Sequence, residues 1–315
     1  MRVLVTGATG YVGSRVIPRL LEDGHTVVAA TRGRSIDEFP WDEEVEVVTF
    51  DIEDAGTVRS AMRDIDGVVY LVHSMDSGDD FVQKDREAAQ LVAESAEEAG
   101  VGRVVYLSGL IPDGELSDHL RSRLEVEDVF LDSSVPAVSL RAAMVIGGGS
   151  MSFELLRRMS LRVPFTPIPR WMRSTLQPVA VADVVELIAG ALQGEARNRA
   201  YDIGGPDVVS YPELLAAFAT AANLRRVQFT VPWVPEVVVG YIVSWISGMP
   251  RSEVVALVES LTHDMVCRDD DADRDLLPRG YAHVPLAEAL RRSLASDDEA
   301  ADHRGDVQAT APSDS

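Results

Sequence analysis

Three glycines spaced three residues apart, Gly7, Gly10 and Gly13, follow a short apolar run at the start of the chain. Between a buried strand and a helix, such glycines permit a tight turn, close approach of the backbone to a pyrophosphate, and close packing of helix on strand. Free N–H groups at the start of the helix then bind phosphate. The residues that we predict to bind a dinucleotide here are Gly7, Thr9, Gly10, Tyr11, Val12 and Gly13.

Residues further along indicate which dinucleotide binds. At the end of the second strand an acid would hold the ribose hydroxyls, whereas an arginine favours a 2′-phosphate. The sequence has Arg32 there and no acid before Asp37. We therefore expect NADP(H) to be preferred, with NAD(H) as the alternative if Arg32 points to solvent. Asp51 and Ile52 end the third strand, where the carboxylate either accepts from the adenine amino group or caps the next helix.

Alternating strands and helices position these residues in the first half of the chain. Short runs rich in β-branched residues alternate with helical periodicity, which is typical of a parallel sheet with crossover helices. The predicted fold class is α/β, a doubly wound parallel sheet of the Rossmann type. The predicted strands are Arg2–Thr6, Thr26–Thr31, Val45–Phe50, Gly67–Val72, Arg103–Ser108 and Ala137–Arg141, and the predicted helices include Tyr11–Glu22, Phe81–Ala99 and Ser117–Leu131.

The pattern changes near residue 150. We predict a dinucleotide-binding domain over residues 1–150, to which segments near 175–205 return, and a smaller interlocked substrate portion over residues 151–294. Residues 295–315 are acidic and rich in Ala and Ser, which predicts a disordered tail. The elements predicted in the second portion are a strand at Thr175–Val179 and helices at Phe153–Leu161, Val181–Leu192, Pro212–Ala222, Pro235–Ile246 and Ser252–Leu261.

Several segments resemble the short-chain dehydrogenase/reductase superfamily, in its extended and atypical branch, and in particular its NmrA-like and YbjT-like group of NAD(P)-binding proteins. By this resemblance Val72, His73 and Ser74 line the nicotinamide-ribose side, and Ser108 stands where the catalytic serine usually is. The carboxyl ends of parallel strands are also where such sheets bind ligands. Besides the glycine loop, the segments that carry the resemblance are Leu71–Met75, Tyr106–Leu110, Gln177–Val184, Tyr201–Pro206 and Val258–Leu261.

The catalytic Tyr-x-x-x-Lys pair of that superfamily is absent from the helix after the fifth strand. This helix carries His119 and Arg123 instead, at a spacing that places both on one face. In one interpretation His119 is the acid and base, with an ordinary pKa near 6.5, and Arg123 holds the ribose. In a second, the pair only binds cofactor or substrate. In a third, both join Glu127 in a solvated ladder without a chemical role.

Other candidates each have a functional and a structural interpretation. Arg141, at the end of the sixth strand, either faces an anionic substrate or pairs with an acid. Trp171 and Met172 flank a substrate cleft or pack in the core. His263 and Cys267 lie four residues apart, but two ligands do not make a metal site, so we predict no metal.

The net charge of −22, from 29 basic and 51 acidic residues, argues against binding to nucleic acid or to anionic lipid surfaces. No apolar stretch reaches the roughly 18 residues needed to span a bilayer. With a single cysteine and no leader pattern, we expect a cytoplasmic protein. The acidity favours adaptation to a halophilic, high-salt cytoplasm, although a GC-rich genome would also produce an arginine-rich composition.

Together these observations predict an NAD(P)H-dependent oxidoreductase that transfers hydride to a small carbonyl, enone or quinone acceptor. Quinones suit the missing tyrosine because their reduced forms are acidic phenols, and the apolar segment Trp233–Ile246 either shelters such a ring or packs as core. The alternative is a catalytically inert NAD(P)H-binding sensor or an accessory or assembly subunit of the complex I type. A sugar-nucleotide epimerase or dehydratase is a third interpretation. The expected partner is a small-molecule substrate, and a homodimer is compatible with the sequence.

Overall fold

The computed structural model describes residues 1–37, 39–72, 81–195, 198–232, 234–295, 306–311 and 314. Its strands are β1 (Arg2–Thr6), β2 (Thr26–Thr31), β3 (Glu46–Thr49), β4 (Gly67–Tyr70), β5 (Arg103–Gly109), β6 (Ala137–Ala142), β7 (Met144–Ile146), β8 (Phe165–Pro169), β9 (Thr175–Leu176), β10 (Pro178–Ala180), β11 (Arg199–Ile203), β12 (Val209–Ser210) and β13 (Val227–Val231). Its helices are α1 (Tyr11–Glu22), α2 (Ala55–Ala61), α3 (Phe81–Ala99), α4 (Asp118–Asp132), α5 (Met151–Arg162), α6 (Val181–Gln193), α7 (Tyr211–Ala221), α8 (Glu236–Ser247), α9 (Arg251–Ser260), α10 (Asp271–Leu276) and α11 (Leu286–Ser293).

A seven-stranded sheet carries the fold, in the order β11-β6-β5-β4-β1-β2-β3. All of its neighbouring strands pair in parallel. The strand order reverses between β1 and β4, and the carboxyl ends of the strands at such a reversal form a crevice that binds ligands. The predicted doubly wound α/β fold is therefore confirmed.

Two apolar layers cover the faces of this sheet, because alternate residues of each strand point to opposite sides. Val3 and Val5 of β1 join the layer that includes α1 and α6, whereas Leu4 joins the layer formed with α2, α3 and α4. Strands buried on both faces need apolar residues at nearly every position, as β1 and β4 show.

The second half of the chain returns to the first at two points. Strand β11 extends the main sheet beside β6, and β10 pairs in parallel with β7. The predicted strand at Thr175–Val179 is divided into β9 and β10 at Gln177, whose backbone N–H donates to Met265 O at 2.9 Å. Strand β8, which contains Pro167 and Pro169, pairs in parallel with β13.

The end of the predicted disordered tail is packed against the fold. Gln308 is fully buried, and its Nε2 donates to Ile146 O at 2.7 Å and to Ser293 Oγ at 3.0 Å. Asp314 forms an ion pair of 2.6 Å with the fully buried Arg15 of α1. The prediction of disorder is wrong for residues 306–311, because composition alone does not reveal that Arg15 needs buried acceptors. None of the described helices is long and apolar enough to cross a bilayer.

Candidate functional site

The glycine loop between β1 and α1 has the geometry that its spacing predicts. Gly7 has a φ of +65°, a left-handed conformation that favours glycine. A Cβ on Gly13 would lie 2.2 Å from Gly7 O, so only glycine allows α1 to approach β1 this closely. Thr6 Oγ1 accepts a hydrogen bond from Leu71 N at 3.0 Å, which ties this loop to the end of β4.

The first turn of α1 leaves its backbone N–H groups available for an anion. Gly10 is the N-cap, no side chain caps the helix, and the first turn contains no acid. The amides of Tyr11, Val12 and Gly13 therefore face the loop at the positive end of the helix dipole. The Tyr11 ring packs under Arg15, 3.9 Å from its guanidinium carbon, and burial raises the pKa of the Tyr11 hydroxyl. Tyr11 thus offers its backbone, not its side chain, and Thr9 lies half-buried in the same loop.

The loop after β2 presents Arg32 to solvent. Gly33, with a φ of +93°, turns the chain, and its N–H donates to Thr31 Oγ1 at 3.2 Å. Thr31 Oγ1 in turn donates to Arg34 O at 3.3 Å. Arg32 is exposed and forms no ion pair with any described residue. Arg32 thus points to solvent, which is the condition under which the sequence predicts the NAD(H) alternative, and this loop admits either cofactor.

Asp51 and Ile52 lie at the carboxyl end of the sheet, beyond β3. Asp51 Oδ1 accepts from Glu53 N at 3.0 Å, and the cap of α2 is Asp54, whose carboxylate accepts from Gly56 N at 2.8 Å. The interpretation of Asp51 as the helix cap is therefore wrong, because the helix begins one residue after Asp54. Ile52 packs on the layer that contains α2.

The end of β4 is only partly described. Val72 is half-buried against the layer formed by α2, α3 and α4. His73 and Ser74, which the resemblance places beside the nicotinamide ribose, lie outside the described residues.

The end of β5 and the start of α4 bring Ser108 and Arg123 together. A Cβ on Gly109 would lie 3.2 Å from Leu120 Cδ2 and 3.8 Å from Arg123 Cγ, so α4 packs directly on this strand end. Arg123 Nη1 donates to Leu107 O at 3.3 Å. Ser108 Oγ is buried beside the Tyr106 side chain and makes no hydrogen bond of ordinary geometry with a described residue, so a bound acceptor atom would give its hydroxyl a partner.

His119 is neutral at physiological pH. Burial, followed by the positive charge of Arg123, lowers the pKa of His119 to about 4. The premise of an ordinary pKa near neutrality is wrong, because the start of α4 is packed against the fold and a cation lies one turn away. An imidazole with this pKa donates and accepts hydrogen bonds at pH 7, but it holds no extra proton to give away.

Glu127, one turn beyond Arg123, is fully buried and does not continue a solvated ladder. It accepts hydrogen bonds from Ser139 Oγ at 2.6 Å and from Arg141 Nε at 2.9 Å. Arg141 also lies 3.8 Å from Asp202. The solvated-ladder interpretation is therefore wrong, and Arg141 pairs with acids, as one of its two interpretations predicted.

Tyr106, which lies in one of the segments that carry the resemblance, is a neighbour of this site to which the sequence assigned no role. It lies on the same side of β5 as Ser108 and is 1% exposed. Burial raises the pKa of its hydroxyl, and Arg123 and Ser108 beside it oppose that rise. Since residues two apart in a strand point to the same side, the sequence alone indicates that Tyr106 and Ser108 are neighbours.

A cavity of about 320 Å³ opens beyond the carboxyl end of β6, lined mainly by apolar side chains. Met172 lines it, whereas Trp171 packs beside it and donates from Nε1 to Val234 O at 2.6 Å. Trp233 lies outside the described residues, but the rest of the predicted apolar segment forms one wall. The side chains of this segment that line the cavity are Val234, Val239, Ile242, Val243 and Ile246.

His263 and Cys267 do not form a metal site in the part of the chain that the structure describes. His263 lines the apolar cavity. Burial raises the pKa of the Cys267 thiol to about 12, which keeps it protonated. No group of three or more His, Cys, Asp or Glu side chains among the described residues could hold a metal ion.

Residues 7–132 match a protein family described as NAD(P)H-binding. An uncharacterized protein of Mycobacterium tuberculosis is 33% identical over 147 residues, which cover 47% of this chain and 15% of that protein. A ceramide reductase of Caulobacter vibrioides is 28% identical over 171 residues, 53% of each chain. The chain thus spans about half or less of the length of these two relatives.

A solved structure is similar over nearly the whole chain. The triphenylmethane reductase of Citrobacter sp., crystallised with NADP(H), matches with a TM-score of 0.73 and 18% identity, covering 93% of this chain and 100% of that one. At this identity the similarity shows the shared fold. The glycine loop, the reversal of strand order and the matched family together show a nicotinamide dinucleotide-binding domain.

Proposed function

We propose that this chain, whose residues 7–132 match an NAD(P)H-binding family, is an NAD(P)H-dependent reductase of the short-chain dehydrogenase/reductase type that acts on an apolar carbonyl, enone or quinone acceptor. The observation that carries this proposal is the position of the apolar cavity. Ala143 and Met144, at the carboxyl end of β6, line the cavity, which opens at the same edge of the sheet as the glycine loop. The cavity lining begins at Ala143, so an acceptor would have to extend from the cavity along the carboxyl edge of the sheet to meet a dinucleotide near the end of β5.

The residues of the glycine loop fit a pyrophosphate. The amides of Tyr11, Val12 and Gly13 would bind it, and Arg32 would bind a 2′-phosphate, which supports NADP(H) over NAD(H). Asp51 keeps one carboxylate oxygen for the adenine amino group. When bound, the reduced nicotinamide supplies a hydride to the acceptor.

Two side chains at the end of β5 would stabilise the negative charge that forms on the acceptor oxygen. The Ser108 hydroxyl, which makes no hydrogen bond of ordinary geometry with a described residue, would donate a hydrogen bond to it, and the Arg123 guanidinium would supply positive charge nearby. His119 is neutral and would orient the acceptor by hydrogen bonding, so the proton would come from water. This favours acceptors whose reduced oxygen is weakly basic, such as quinones and enones.

The length of the acceptor tests this proposal. Each methylene buried in the cavity contributes about 0.8 kcal/mol, or roughly fourfold in kcat/KM. We therefore expect kcat/KM for NADPH oxidation to rise with the chain length of a series of alkyl-substituted quinones and enals until the cavity is filled. A flat dependence on chain length would contradict an apolar acceptor site.

A binding protein without turnover is the second candidate, because the Tyr-x-x-x-Lys pair is missing and Tyr106 is buried. It predicts NADPH binding with no oxidation by any acceptor. Arg123→Gln separates the two. In a reductase it lowers kcat by on the order of 100-fold, as removal of a charge-stabilising donor does, whereas Arg121→Gln, at an exposed position of the same helix, changes nothing.

A further inference from the structure

Helix α8 is apolar on two sides, and one of these sides is exposed. Val239, Val243 and Ile246 point into the cavity. On the opposite side, apolar residues recur with helical periodicity and are open to solvent. Trp245 is the most exposed of them, at 85%. The exposed members are Val237, Val238, Tyr241, Ile242 and Trp245. A helix that is apolar all round is normally covered on all sides.

The parallel pair β8 and β13 continues this apolar surface to the mouth of the cavity. Pro167, Pro169 and Val231 line the cavity. Because alternate residues of a strand point to the same side, the other residues on this side of the two strands can be identified, and they are exposed and apolar. Ile242 both lines the cavity and is 51% exposed. The exposed residues of the pair are Phe165, Val227 and Phe229. We call these three residues and the five of α8 the apolar face.

Arginines are concentrated in the segments that carry the apolar face, in a chain that is otherwise strongly acidic. Residues 154–173 and 225–251 contain eight arginines and two glutamates, a local charge of +6 within a total of −22. Arg251 stacks on Tyr241 at 3.3 Å, Arg173 donates to Thr230 Oγ1 of β13 at 2.8 Å, and Arg162 donates to Ile246 O. None of these three arginines forms an ion pair with another described side chain.

We propose that the apolar face docks on the surface of a lipid bilayer that contains anionic phospholipid. Tyr241 and Trp245 would lie at the headgroup boundary, where Tyr and Trp are enriched, and the arginines would meet the lipid phosphates. Because charges beyond about 8 Å are largely screened at physiological ionic strength, the distant acids do not oppose this contact. The argument from net charge against anionic lipid therefore does not apply to this face.

The charge of the face disfavours covering it with a second copy of the chain. In a symmetric dimer the same patch meets itself, and the arginines of one copy would lie against those of the other. Docking itself does not depend on catalysis.

One consequence of the docking rests on the proposed function. An apolar acceptor would pass from the bilayer into the cavity along Ile242 and the β8–β13 pair without crossing water.

Flotation of the full chain with phospholipid vesicles tests the docking without any substrate. We expect binding to vesicles of phosphatidylcholine with phosphatidylglycerol, weaker binding to phosphatidylcholine alone, and weaker binding in 1 M than in 0.15 M KCl. Circular dichroism confirms the fold at both salt concentrations. Tryptophan fluorescence of the wild type should shift to the blue with anionic vesicles, and this shift should be lost in Trp245→Ser.

Matched variants locate the contact on the chain. The double substitution Arg162→Gln with Arg251→Gln should weaken partitioning to anionic vesicles by tenfold or more, on the order expected for two phosphate-binding cations. Arg59→Gln, at an exposed position on α2, should leave it unchanged. Likewise Trp245→Ser should weaken binding, and Val47→Ser, at an exposed apolar position of β3, should not.

Several results would overturn the docking. Absence of binding to anionic vesicles is one, and equal loss in the control variants is another. A wild-type dimer that Trp245→Ser converts to monomer, with no vesicle binding, would assign the face to self-association. NADPH oxidation by water-miscible acceptors would be unaffected by any of these results, so failure of the docking and failure of the reductase function are distinguishable.

Discussion

Gly13→Ala provides a direct perturbation of the predicted dinucleotide site. The new Cβ would lie 2.2 Å from Gly7 O and 3.0 Å from Ala8 Cα. Both distances are shorter than the 3.4 Å at which ordinary van der Waals contact begins. The start of α1 must therefore move by about 1 Å away from the loop, a displacement that a close-packed interior accommodates poorly. Both neighbours are backbone, so no side-chain rotation relieves the overlap.

The displaced amides would lose most of their bonds to the pyrophosphate. A hydrogen bond to a charged group contributes about 1.5–3 kcal/mol, so loss of two such bonds corresponds to roughly 3–6 kcal/mol. We therefore expect the Kd for NADPH to rise by a factor on the order of 100 or more, measured by fluorescence titration of NADPH with the purified protein.

Gly24→Ala is the matched control beyond the other end of α1. Gly24 has a φ of +78°, and nothing lies within 4 Å of an added Cβ. This substitution should lower the free energy of unfolding by about 1–2 kcal/mol through backbone strain, without changing the Kd for NADPH. The reasoning is refuted if Gly13→Ala retains NADPH affinity within threefold of wild type, or if Gly24→Ala loses as much.

Three further changes test other parts of the structure. Arg32→Glu should weaken NADPH binding by tenfold or more and leave NADH binding nearly unchanged, since only the former carries a 2′-phosphate; an equal loss for both in titrations would show that Arg32 does not read the phosphate. Asp314→Ala should lower the free energy of unfolding by about 3–5 kcal/mol, because it leaves the buried Arg15 without its ion-pair partner; an unchanged thermal midpoint would mean that the tail is not packed in solution. The pKa of His119 is depressed to about 4 in the folded state, so the unfolded chain binds more protons between about pH 6.5 and 4. The free energy of unfolding should therefore fall by on the order of 2 kcal/mol across that window as the pH decreases. His119→Phe should remove this pH dependence when it is compared with wild type by urea unfolding at each pH. An identical pH dependence in both proteins would contradict a buried neutral imidazole.

Elements with strong local signals were predictable from the sequence. Helices α1 and α3 have the predicted bounds, because apolar periodicity and a glycine at or near the C-terminal end define them locally. The Gly7–Gly13 loop was predictable for the same reason. Ser108 could be placed at the ligand-binding edge because the carboxyl ends of parallel strands meet there.

Features that depend on distant partners were not predictable. Strand β8 pairs with β13 across more than 50 residues, and its prolines argue against a strand when they are considered locally. Asp314 finds Arg15 almost at the other end of the chain. The depressed pKa of His119 and the placement of Tyr106 beside Arg123 both arise from the packing of α4 on β5, which no spacing within α4 encodes.

Single-turnover oxidation of bound NADPH, followed by its absorbance with a long-chain quinone or enone as acceptor, distinguishes a reductase from a binding protein. The account predicts one reduced acceptor per NADPH oxidised and a slower rate when deuterium replaces the transferred hydrogen at C4 of the nicotinamide. It also predicts that Arg123→Gln slows this step while NADPH affinity is retained. Tight NADPH binding with no oxidation by any apolar acceptor would contradict it and assign the chain to the binding proteins.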